Sequence, residues 1–66
     1  MTAEEAKIKT YWSNVPIDVK EKIESAIIQG RNEVVVDKLN FRDMVNLQYL
    51  GYEVDGEHSN IDIIKW

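Results

Sequence analysis

The single histidine of the chain, His58, stands in the run Asp55-Gly56-Glu57-His58-Ser59-Asn60. An imidazole, carboxylates and a hydroxyl come close together in sequence nowhere else. General acid–base or nucleophilic catalysis uses these residue types, but it needs a base held by a partner that orients it. Asp55, Glu57 and His58 are also the hard-oxygen and imidazole donors of a divalent-metal site. The setting argues against both. A turn rich in glycine, serine and asparagine does not hold a triad in place, and the spacing matches no metal-binding loop. The run reads as a solvated turn with no catalytic residue, no metal and no cofactor, so the expectation is a protein that is not an enzyme.

Anion chemistry is the next candidate. The three glycines, Gly30, Gly51 and Gly56, read as two helix ends and one turn, so no glycine-rich phosphate loop exists. Free N–H groups at the start of a helix beginning near Phe41 favour an anion, and Lys38 and Arg42 flank that point. Asp37 and Asp43 oppose it. Within one chain this favours a structural cap. In a symmetric oligomer, copies of Arg31, Lys38 and Arg42 could converge, and these three are the candidate ligand-binding residues for a nucleotide-type molecule.

Aromatic residues offer a third chemistry. Stacking on aromatic faces is worth roughly 1–3 kcal/mol per nucleic-acid base, and Tyr11, Trp12, Phe41, Tyr49, Tyr52 and Trp66 could supply it. A small chain needs most of them for its core or for contact between copies. Tyr11 and Trp12 are neighbours, and successive helical positions point about 100° apart, so one of the two is expected to face away from the core. Tyr11, Trp12, Met44, Leu47 and Tyr49 are the candidate partner or oligomer surface.

The elements that must position these residues follow from capping and periodicity. Thr2 and Glu5 form a T-x-x-E capping box, so a first helix covers residues 3–12, with a weak apolar stripe. Ser13-Asn14-Val15-Pro16 breaks it. A second helix over residues 16–29 has Val19, Ile23, Ala26 and Ile27 on one face, an Asp18–Lys22 pair on the other, and Gly30 as its left-handed cap. Glu33 to Asp37, with three consecutive valines, reads as a strand covered on both faces, or on one face with an oligomer contact on the other. Asn40 caps a third helix over residues 41–50, with Asp43 at the position the helix dipole favours. Its apolar arc is wider than one core contact requires, and Arg42, Asp43 and Asn46 are its polar remainder. Short strands over residues 52–54 and 61–66 flank the acidic turn.

The predicted class is α+β, in the order α-α-β-α-β-β. A small three-stranded sheet of order 1-3-2 has the C-terminal strand central and antiparallel to both neighbours. Helices cover one face, and the strand–helix–strand crossover is right-handed. Residues 1–66 form a single domain, with residues 1–13 an appended element on a core of residues 16–66.

The chain has 66 residues, no cysteine and a formal net charge of −4. A domain this short buries only about 60% of the surface its unfolded form exposes. With no disulfide to compensate, oligomerisation is the expected remedy. Net negative charge opposes non-specific binding of DNA or RNA. No apolar run approaches the roughly 18 residues a membrane span needs, and the N-terminus lacks the apolar region of a secretory signal. The expected location is the cytoplasm.

The positions Ile23, Ala26-Ile27, Gly30, Val34-Val35-Val36, Leu50-Gly51-Tyr52-Glu53-Val54, Ile61, Ile63 and Trp66 carry a resemblance. The chain from Pro16 to Trp66 resembles small bacteriophage-encoded proteins and virion-protein modules. These have a helix ending in glycine, a valine-rich strand, a helix ending in Leu-Gly-Tyr and a last strand closing on tryptophan. The resemblance implies a viral protein acting in the host-cell cytoplasm. The role it implies is a homo-oligomeric binding protein that interferes with host defence, either by occupying a host protein or by sequestering a nucleotide signal. A structural or accessory virion component is a second reading, and an acidic mimic of nucleic acid a third.

Overall fold

The computed structural model describes every residue, Met1–Trp66. Its elements are α1 (Ala3–Ser13), α2 (Ile17–Ile28), β1 (Glu33–Asp37), α3 (Phe41–Tyr49), β2 (Glu53–Asp55) and β3 (Ile61–Lys65). No helix is long and apolar enough to cross a membrane.

Local chemistry sets the helix ends. The Glu5 N–H donates to the Thr2 hydroxyl at 3.1 Å, and that hydroxyl donates to the Glu5 carboxylate at 3.2 Å. The Asp43 N–H donates to the Asn40 side-chain oxygen at 2.8 Å. Both contacts satisfy N–H groups that a helix start leaves without an internal partner. At the other ends, α2 and α3 close in the same way. The Arg31 N–H reaches the Ala26 carbonyl across Gly30 (φ 74°), and the Tyr52 N–H reaches the Leu47 carbonyl across Gly51 (φ 97°). This six-residue closure needs a left-handed residue, which glycine adopts without steric cost. It also turns the chain directly into β1 and β2.

The sheet order is β1-β3-β2, with β3 antiparallel to both neighbours. β1 and β2 therefore run parallel on either side of the C-terminal strand. Side chains alternate across a strand, so the register Val34↔Ile64, Val36↔Asp62 and Val54↔Ile64 places these residues on one face. That face is covered, by α2 on β1 and α3 on β2, with α1 laid against α3. The core is Val15, Val19, Ile23, Ala26, Val36, Leu47 and Ile64. The opposite face carries Glu33, Val35, Asp37, Ile61, Ile63, Lys65, Glu53 and Asp55 and has no helix over it.

Three expectations need correction, and one core residue carried no sequence signal. Ile27 is 54% exposed, because Val19, Ile23 and Ala26 already fill the stripe that meets β1. Asp18 and Lys22, both exposed on α2, form no ion pair. Val15, in the break between α1 and α2, is a core residue. Asn46 does not belong to a polar outer side: it is buried on the inward face of α3 beside Leu47.

Candidate functional site

The candidate ligand-binding cations do not come together. Arg31 and Lys38 lie just beyond opposite ends of β1, which at about 3.3 Å per residue sets their backbones roughly 20 Å apart. Arg42 is exposed in the first turn of α3 and makes no hydrogen bond or ion pair. The Lys38 ammonium is committed to partners within the chain. It donates to the Gly56 carbonyl at 2.8 Å, the His58 carbonyl at 3.0 Å and the Asp62 carboxylate at 3.0 Å. An ammonium has three donors, so none remains for a ligand.

Asp62 is the other half of this clamp. Its side chain is fully buried, and its second oxygen accepts the Leu39 N–H at 2.8 Å. Burial alone would push the carboxyl up. The Leu39 N–H, the Lys38 hydrogen bond and charge, and the charge of His58 outweigh it and hold Asp62 below the ordinary aspartate value. Strand phase explains the burial, because Ile64 points into the core and residue 62 must share its face. The clamp fastens the end of β1 and the turn between β2 and β3 to the start of β3.

The acidic turn brings His58 near Asp55. His58 Nε2 lies 3.9 Å from Asp55 Oδ2, and the Glu57 N–H donates to Asp55 Oδ1 at 3.2 Å. No group of three or more His, Asp or Glu side chains is placed to hold a metal ion.

Two members of the candidate partner surface are drawn into the fold, Leu47 fully and Met44 in part. Leu47 has no exposed area and packs among Val19, Ile23, Val36 and Ile64 in the core. Met44 is half-buried, and its methyl group reaches the Gly56 turn over the Lys38–Asp62 clamp. The wide apolar arc of α3 thus serves the sheet, the clamp and α1 in turn.

The other three do come together. Tyr11 of α1 stacks on Tyr49 of α3, ring centres 5.0 Å apart and planes 9° apart. Trp12 stacks at 6.5 Å on Tyr52, and Tyr52 meets the edge of Trp66 at 5.9 Å and 87°. Offset stacks and edge-to-face contacts are the geometries ring quadrupoles favour. The Lys20 ammonium lies 5.6 Å from the centre of the Trp12 ring, extending the row to α2. Burial pushes the Tyr52 hydroxyl pKa up. Ile8, Trp12, Leu50 and Tyr52 line a largely apolar hollow of about 250 Å³.

This face remains open although it is apolar. Ile8 is 49% exposed, Tyr49 67% and Trp66 39%. α1 contributes no fully buried residue, and its aromatic contacts to the rest of the fold are made by Tyr11 and Trp12. The sequence signal for Tyr11 and Trp12 was their adjacency on a helix with a weak stripe. Tyr52, Trp66 and Lys20 carried no such signal, because only the sheet order brings the C-terminal residue beside β2.

Searches of protein-family models, of curated proteins and of solved structures found no match to this chain.

Proposed function

We propose that this protein is a non-catalytic binding protein that works as a homo-oligomer, with the aromatic face of α1 and α3 as the surface between copies. The observation that carries this reading is the exposed Ile8, Tyr49 and Trp66 around the apolar hollow of Ile8, Trp12, Leu50 and Tyr52. Aromatic side chains dominate interface energetics through the large area each one buries. A core of seven apolar residues in a 66-residue chain gives a second copy a clear stabilising effect.

The role proposed for this assembly is interference with host defence by a phage-encoded protein in the host cytoplasm. Occupation of a host protein is favoured over sequestration of a nucleotide signal. The Lys38 donors are spent within the fold, which leaves only Arg31 and Arg42 of the three candidate cations to meet a phosphate.

The two tryptophans of the chain, Trp12 and Trp66, both belong to the aromatic face, so their fluorescence reports on it directly. On dilution from high to low micromolar concentration, emission shifts to longer wavelength as copies separate, while far-ultraviolet circular dichroism stays constant. Emission independent of concentration contradicts the reading.

A further inference from the structure

β1 is an edge strand. Backbone bonds from the Trp66 N–H to the Asn32 carbonyl and from the Lys38 N–H to the Asn60 carbonyl set the phase of its ladder with β3. Even-numbered residues therefore bond to β3, and the N–H and C=O groups of Glu33, Val35 and Asp37 point away from the sheet. Unpaired groups on an edge are a template for another strand. The same three residues place their side chains on the uncovered face, as a carboxylate, a half-exposed valine and a carboxylate. Neither carboxylate takes part in an ion pair. Behind the edge, a hollow of about 290 Å³ between α2 and β1 is lined in part by Ser25, Ala26, Gln29, Arg31 and Val34.

We propose that the β1 edge accepts an extended segment of another protein in which a basic residue, a small residue, an aliphatic residue, a small residue and a basic residue follow in that order. Paired on β1, the aliphatic side chain lies beside Val35 and the basic ones beside Glu33 and Asp37, while the small ones point toward the hollow at α2. Opposite charges directly across a strand pair attract and like charges repel. That rule opposes a second copy paired in the centred register. Two β1 strands paired antiparallel about Val35 would set each Glu33 against an Asp37. The acids thus guard the edge against self-association while selecting a cationic strand. This surface lies on β1 and adjoins the aromatic face of α1 and α3 only at Trp66, whose N–H bonds to the Asn32 carbonyl.

The probe is the capped peptide Lys-Ser-Val-Ser-Lys, which reads the same in both directions, with Glu-Ser-Val-Ser-Glu as its counterpart. Each is titrated into the ¹⁵N-labelled protein. The basic peptide displaces the amide signals of Glu33, Val35 and Asp37 and binds at least about tenfold more tightly than the acidic one. Methylating the central valine nitrogen of the peptide weakens it. The double variant Glu33→Lys, Asp37→Lys, both at exposed positions, inverts the preference. Equal response to both peptides, displacement confined to α1 and α3, no displacement at millimolar peptide, or an unchanged preference in the double variant overturns the proposal.

Discussion

The Lys38 ammonium lies 3.0 Å from the carboxylate of Asp62, and the two side chains differ sharply in exposure, 42% against 0%. That asymmetry makes the consequences of removing either partner unequal. Lys38→Met leaves a carboxylate wholly inside the protein with only the Leu39 N–H to compensate it. A buried charge that loses its partner costs about 3–5 kcal/mol, and the lower end applies where one hydrogen bond survives. Asp62→Asn keeps an acceptor for Leu39 and leaves Lys38 in reach of water and of two carbonyls, so its cost is about 1–2 kcal/mol. Urea denaturation of the two variants checks this order.

The same pair sets an acid limit. The native Asp62 pKa is below its ordinary value, so near pH 4 and below the unfolded chain binds the proton more readily than the native one. Stability from this group is complete above the unfolded value of about 4 and is lost as pH falls from there through the depressed native value. Asp62→Asn should therefore unfold with a shallower dependence on pH across that window than the natural sequence. Denaturation midpoints measured from pH 6 down to pH 2 test the difference in slope.

Gly56 roofs this clamp. A Cβ added there would lie 3.3 Å from Asp62 Oδ1, 3.5 Å from the Lys38 nitrogen and 3.5 Å from the Met44 methyl. The methionine can move aside, but Asp62 is held by two hydrogen bonds. Gly56→Ala is expected to destabilise by about 1 kcal/mol, in the range of modest overpacking, and Met44→Ala in the same chain should not restore the loss. Thermal melts of the single and double variants decide it.

Leu47 and Tyr49 separate folding from association, although they lie two residues apart on α3. Leu47→Ala opens a cavity in the core and should cost about 2–5 kcal/mol. Tyr49→Glu alters a ring that is 67% exposed and should change the stability of the single chain by about 0.5–1.5 kcal/mol, the worth of an aromatic pair. Chemical denaturation at low protein concentration distinguishes the two.

Much of the fold was readable because its signals are local. Thr2, Asn40, Gly30 and Gly51 mark helix ends by chemistry that does not depend on distant residues, and each does so in the structure. The central place of β3 followed from its apolar content. The facing of β3 was harder to read. In Ile61-Asp62-Ile63-Ile64, counting apolar residues favours turning Ile61 and Ile63 inward, yet Ile64 wins and takes Asp62 with it. Only the presence of Lys38 and Leu39 across the strand pair makes that phase tolerable, and their approach depends on register.

The candidate site divided along the same line. Tyr11, Trp12 and Tyr49 meet because α1 returns along α3. Lys38 was read as a free cation since sequence does not show which carbonyls its ammonium finds. Met44 and Leu47 shared an apolar arc with Tyr49, and helical position alone could not divide the part facing the sheet from the part facing solvent.

Sedimentation velocity across a micromolar concentration series is the most direct test of association through the aromatic face. The natural chain should sediment as a multiple of its 7.7 kDa mass, and Tyr49→Glu and Ile8→Glu should each return it to a single folded chain. A natural chain that stays folded and single throughout the series contradicts the account.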